Sequence, residues 1–244
     1  MFICACSDVG KMRNINQDAV YYVDDEKLPL YMVADGMGGH KSGEYASNLS
    51  IHVISRLYNE KREAMVSGEL EIPKFINDAF KAANETIVKE GADDDTIRKM
   101  GTTLTMILVK DGEAYIGHIG DSRAYMIRES EIVQLTHDHS LVAELLRSGS
   151  ITESEARVHP QKNVITKALG TDSEINPDIY TKELKKDDIL FLCTDGLTNM
   201  IEDADIKKRI LMATELQEVC VMLTNEANEL GGPDNITILM AKIS

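Results

Sequence analysis

Three aspartates stand where a carboxylate is costly. Asp35 ends the apolar run Leu30-Tyr31-Met32-Val33-Ala34, and Asp195 ends Ile189-Leu190-Phe191-Leu192-Cys193-Thr194. Asp234 lies in Gly231-Gly232-Pro233-Asp234-Asn235, immediately before a further apolar run. A charge at the end of a buried strand costs several kcal/mol unless it is paired or binds a metal. Asp35 and Asp195 are each followed by glycine, Gly36 and Gly196, which lets a ligand approach the backbone closely enough for a carbonyl to coordinate as well. An Asp-Gly pair most often marks a turn, and Asp111-Gly112, between two strand-like segments, reads as only that. Two more acids have suggestive settings. Arg13-Asn14-Ile15-Asn16-Gln17-Asp18 puts an arginine five residues before an aspartate that opens a strand, and Gly120-Asp121-Ser122-Arg123 sits between two strands.

The elements that must carry these residues can be read from the pattern. Phe2 to Cys6, Ala19 to Val23 and Leu30 to Ala34 read as strands. A helix follows the glycines of 36–43, with Ala46, Leu49, Val53, Ile54 and Leu57 at helical spacing. Ile72, Phe75, Ile76, Ala79, Phe80, Ala83 and Ile87 form the clearest amphipathic helix. Thr102 to Val109 and Glu113 to Ile119 flank Asp111-Gly112 as a hairpin, and Ser122 to Ile127 and Glu131 to Leu135 continue a meander. The stretch from His137 to about Pro160 turns helical and charged. Ile189 to Cys193 reads as a buried strand, two helices follow, and Ile236 to Ala241 is a last strand. Strands in runs, rather than alternating singly with helices, argue for antiparallel sheets with helices packed outside.

Composition narrows the function. With 41 acidic and 26 basic residues the formal charge is −15, which disfavours nucleic acid and acidic membrane surfaces as partners. Aromatics are scarce, so the 12 Met residues help fill the core without implying a cofactor. Cys4 and Cys6 share one face of a strand, and neither a CxxC pair nor a Cys/His cluster accompanies them, so a zinc ribbon and a disulfide framework are both disfavoured. Reduced thiols, no run of about 18 apolar residues and no basic leader lead to the expectation of a cytoplasmic chain without a membrane span. The length of 244 residues and the lack of a Pro/Ser-rich linker give one domain over 1–244.

Six short motifs occur in order: Asn16-Gln17-Asp18, Asp35-Gly36-Met37-Gly38-Gly39-His40, Gly101-Thr102-Thr103, Gly120-Asp121-Ser122-Arg123, Thr194-Asp195-Gly196-Leu197 and Gly232-Pro233-Asp234-Asn235-Ile236-Thr237. Together they closely resemble the metal-dependent protein phosphatases of type 2C in their compact bacterial form, over Ser7 to Thr237. The resemblance implies an α+β fold: two antiparallel sheets packed as a sandwich, with helices on both outer faces. It also implies a pair of Mg or Mn ions bridged by Asp35, one of them bound by the Gly36 carbonyl. Asp195 and Asp234 would hold the other, with Asp18 acting directly or through water. Asp121 would either join Asp195 in a third, weaker site or serve as a turn residue. Oxygen donors of this kind suit Mg or Mn better than zinc.

The implied chemistry is hydrolysis of phosphoserine and phosphothreonine in proteins. Two cations roughly 4 Å apart acidify a shared water to a hydroxide, which attacks phosphorus in line while Arg13 clamps the phosphate. Animal members often carry His after the Asp-Gly pair, where Met37 stands here. His40 is nearby, and could protonate the leaving oxygen, touch substrate, order a water or simply open the following helix. Residues 137–162 match the family's flap; His137 and His139 are expected to be exposed loop histidines, and His118 and His52 structural. Expected partners are phosphorylated proteins, with the enzyme opposing a bacterial Ser/Thr kinase and acting as a monomer. A two-metal phosphodiesterase or nuclease, and a phosphatase-like binding module without turnover, are the competing readings.

Overall fold

A computed structural model describes residues 2–39, 42–93 and 100–244. In chain order the strands are β1 (Phe2–Asp8), β2 (Asp18–Val23), β3 (Leu30–Met37), β4 (Gly101–Thr102), β5 (Leu104–Lys110), β6 (Glu113–Ile119), β7 (Arg123–Arg128), β8 (Glu131–Gln134), β9 (Asp178–Glu183), β10 (Ile189–Cys193) and β11 (Ile236–Lys242). Helices α1 (Ser42–Ser67) and α2 (Ile72–Asp93) follow β3. The short α3 (Leu141–Arg147) and α4 (Glu153–Val158) follow β8, and α5 (Asp195–Thr198), α6 (Asp203–Met212) and α7 (Leu216–Glu229) lie between β10 and β11.

The strands form two antiparallel sheets. One has the order β1-β11-β10-β7-β8; the other runs β2-β3-β5-β6-β9, with β4 paired to β3. Strand alternation builds three apolar layers, because successive side chains point to opposite faces. Tyr31 and Val33 of β3 point inward, to meet Leu190 and Leu192 of β10 and Leu239 of β11 between the sheets. Leu30, Met32 and Ala34 point outward against Ile54 of α1 and Phe75, Ile76 and Phe80 of α2. On the other sheet Phe191, Cys193, Ile238 and Met240 turn outward against Val219, Cys220 and Leu223 of α7. Strands buried on both faces read as unbroken apolar runs, which is why β3 and β10 are so plain in the sequence. The expected α+β sandwich with helices on both outer faces is the observed architecture.

Local chemistry matches the sequence at the β5–β6 turn. Asp111 and Gly112 both have positive φ, 52° and 80°, and Lys110 pairs with Glu113, the two-residue hairpin that this dipeptide favours. Two differences stand out. Strand β9 has no counterpart in the sequence reading, because Asp-Ile-Tyr-Thr-Lys-Glu alternates weakly and forms a half-exposed sheet edge beside β6. The helical segment from His137 divides into α3 and α4, neither of which buries a residue. Among the described residues no helix is long and apolar enough to cross a membrane.

Candidate metal centre and active site

The acids gather where the two sheets end together. Asp18 opens β2 and Asp35 stands near the end of β3, directly opposite each other in the ladder. Like charges in that position repel. From the other sheet come Asp195, which begins α5 just past β10, and Asp234, in the loop leading into β11. Thr194 ties the two sources together: its Oγ1 donates to Asp18 Oδ2 at 2.8 Å and accepts from Thr237 N at 3.0 Å. Asn199, one turn along, donates to Asp195 Oδ2 at 2.9 Å.

Glycine is dictated by crowding at two of these positions. A Cβ on Gly36 would lie 2.0 Å from the Gly43 carbonyl oxygen, at the start of α1, and one on Gly196 would lie 1.9 Å from that of Asn235. Asn235 in turn straps the loop that carries Arg13 and Asp18. Its Oδ1 accepts from Gln17 N, and its Nδ2 donates to the carbonyls of Val9 and Ile15.

Burial and mutual repulsion push these acids up. Asp18 rises to about 7, first through burial and then through the charges of Asp195 and Asp234, against the pull of Thr237 and Thr194. Asp195 rises to about 6, again mainly through burial and next through Asp234, while the neighbouring Asp35 and Asn199 draw it back down. Asp35 is raised well above the ordinary carboxylate range by burial and by the surrounding aspartates, Asp18 first. Asp121 is raised likewise, by burial and then by Asp195.

The oxygens left over suit a hard divalent cation. Asp18 Oδ1, Asp121 Oδ1 and Asp195 Oδ1 are buried and accept no hydrogen bond among the described residues, a costly condition for a carboxylate. Every donor is oxygen, the preference of Mg and Mn. Among the described residues no group of three acidic, His or Cys side chains is arranged to hold a metal ion as the side chains stand. Arg13 offsets part of the negative charge at Asp234. The Arg13 guanidinium donates to Asp234 Oδ2 at 2.8 Å and to the Pro233 carbonyl, with its side chain half exposed. It thus pairs with one of the acids while keeping half of its surface in solvent.

A cleft of about 480 Å³ opens beside the acids, lined by Asp121 and Asp195 on one side and Ser140, Arg157 and Lys162 of residues 137–162 on the other. Arg157 Nη1 reaches Glu202 Oε1 at 2.6 Å across it. His40 lies outside the described residues. His118 is buried, as expected of a structural histidine, and His137 is exposed. His139 corrects the sequence reading: it is 4 % exposed, stacked on His118 with ring centroids 5.0 Å apart. Sequence reasoning missed Thr103, Ser122, Thr194 and Asn199. The first three lie inside quoted motifs, which was the available signal.

Fold and site together define a metal-dependent phosphohydrolase framework, and the match to the Protein phosphatase 2C family covers residues 11–231. The chain belongs to that family. It is 39% identical over 245 residues to the protein phosphatase PhpP of Streptococcus pneumoniae, covering 100% of this chain and 98% of the relative. Among solved structures, the serine/threonine phosphatase of S. agalactiae superposes with a TM-score of 0.92 at 34% identity, covering 100% of this chain and 99% of that one. The catalytic domain of the serine/threonine protein phosphatase PstP, solved with two manganese ions, gives 0.86 at 33% identity over 100% and 98%.

Proposed function

We propose that this chain removes phosphate from phosphoserine and phosphothreonine in other proteins, using two Mn or Mg ions and a third, weaker one. The observation that carries the reading is the convergence of Asp18, Asp35 and Asp195 from two different sheets, two of them keeping a buried oxygen without a donor. Asp35, the Gly36 carbonyl, Asp195 and Asp234 are the assigned ligands, with Asp18 beside them and Asp121 toward the weaker ion. Cations there supply an acidified water and neutralise charge on the phosphoryl group.

The protein's own residues supply orientation. Thr194 and Asn199 fix the carboxylates of Asp18 and Asp195 through the bonds given above, so each keeps one oxygen turned to the centre. Arg13, held over Asp234, offers its planar fork to the phosphate oxygens, where bidentate contact gives geometry as well as charge. For His40 the roles implied by the family resemblance stand together: protonating the leaving oxygen, touching the substrate, ordering a water or opening the helix. The same reading makes the chain a single domain of 1–244, a cytoplasmic monomer opposing a Ser/Thr kinase.

The test is phosphate release from a phosphothreonine peptide with Mn, compared with chelator and with Asp35→Asn. The variant is expected to lose more than about a hundredfold, as the nucleophile and its electrostatic support go together. Activity that survives chelation, or a variant as fast as its parent, would overturn the assignment.

A further inference from the structure

His139 and Gly120 hold each other by two bonds. His139 N donates to the Gly120 carbonyl at 2.7 Å, and Gly120 N donates to His139 Nδ1 at 3.1 Å. Nδ1 is therefore the unprotonated nitrogen, and the ring's proton sits on Nε2, which lies 3.2 Å from Asp178 Oδ2 without hydrogen-bond alignment. Gly120 immediately precedes Asp121, at the crossing from β6 in one sheet to β7 in the other. Its φ of 111° and its contact with Thr103, where a Cβ would lie 2.5 Å from the Thr103 Cβ, suit no other residue.

The same histidine closes the base of the 137–162 segment. Its carbonyl accepts from Thr166 N at 2.8 Å, Leu141 N donates to the Val164 carbonyl, and Ser140 bridges Ile165. Behind it, the stacked His118 places Nδ1 2.9 Å from Thr105 Oγ1 and Nε2 3.1 Å from the His137 carbonyl. A carbonyl can only accept, so Nε2 of His118 donates and the Thr105 hydroxyl serves Nδ1. On the far side, Ser122 Oγ pairs with Thr103 Oγ1, which accepts from Asp35 N. One continuous chain of bonds thus runs from Asp35 through Thr103 and Ser122 to Asp121, and from Gly120 through His139 to the segment over the cleft.

We propose that His139 is a positioning residue: by gripping Gly120 it sets the place of Asp121 and the base of residues 137–162 as one unit. The proposal rests on the metal-dependent reading above only for Asp121's role as a ligand; the grip itself is independent of it. His139 touches neither substrate nor cation, so its effect passes through Gly120. Asn in its place keeps an acceptor near Nδ1 and loses the ring, whereas Phe keeps the ring and loses the acceptor.

The experiment measures amide exchange of Gly120 and Mn titration by calorimetry in parent, His139→Asn and His139→Phe, each first shown to be folded by circular dichroism. Phe is expected to speed Gly120 exchange at least tenfold and to weaken the lowest-affinity Mn step about tenfold, the usual penalty when a ligand's orienting partner is lost. Asn is expected to hold both near the parent. If Phe does not fold, the Asn protein decides: parent-like Gly120 protection supports the grip, and lost protection refutes it. Phe and Asn behaving alike, in either direction, also refutes it. A parent that binds no Mn would sink the metal reading, while Gly120 exchange would still judge the grip.

Discussion

Asp18→Asn should stabilise the metal-free protein while abolishing its use. Asp18 is 7% exposed and titrates near 7 in the fold, against 3.8 for an ordinary aspartate. At about 1.4 kcal/mol per pH unit, holding it ionised costs the metal-free fold roughly 4 kcal/mol at pH 8. The sign follows from proton binding. Between pH 3.8 and 7 the folded chain holds a proton that the unfolded chain has released, so this contribution to stability is complete below pH 3.8 and is lost as pH rises through 7. His118 works in the opposite direction. Burial lowers it to about 4, so the unfolded chain binds the extra proton between about 4 and 6.5, and stability from this group grows with pH. The parent's own curve mixes these groups with the neighbouring aspartates, so the difference between variant and parent reports Asp18 together with the relief of Asp35, which acts in the same direction. Unfolding in urea and by heat, with chelator, should show no difference at pH 4 and a variant about 10 °C more stable at pH 8. An Asn protein less stable than its parent at pH 8, or a difference independent of pH, would refute the reasoning.

Gly196→Ala should cost roughly 3 kcal/mol or more, since its Cβ would lie 1.9 Å from backbone that cannot easily yield. Gly39→Ala, with nothing near its added carbon, is the control, and equal denaturation midpoints for the two would contradict the crowding. Arg13→Lys keeps the charge and loses the fork, so kcat/KM on a phosphopeptide should fall roughly ten- to a hundredfold. Unchanged steady-state kinetics would remove Arg13 from the phosphate site.

The sequence showed most clearly what physical cost makes visible. Asp35 and Asp195 were legible because each ends a run buried on both faces, where an unpaired carboxylate has no ordinary excuse. The sandwich was legible for the same reason, through β3 and β10. Strand β9 was not, because one side of an edge strand faces water and its alternation is diluted by charge. The hydroxyls of Thr194 and Thr103 escaped notice because their partners lie far along the chain: Asp18 is 176 residues from Thr194. His139 sits among Thr136, His137, Asp138 and Ser140, a polar stretch with no periodicity, and its burial comes from partners distant in the chain, the bonds to Gly120 and the stack on His118. The grip of Arg13 on Asp234 spans 221 residues and is likewise a property of the folded chain alone.

Strand β11 comes last in the chain but lies inside its sheet, flanked by β1 and β10. Until it slots between them, the loop bearing Asp234 has no mooring, Thr237 cannot reach Thr194, and the first strand has no neighbour on that side. A chain lacking β11 would therefore hold the other three acids and still leave Asp234 adrift.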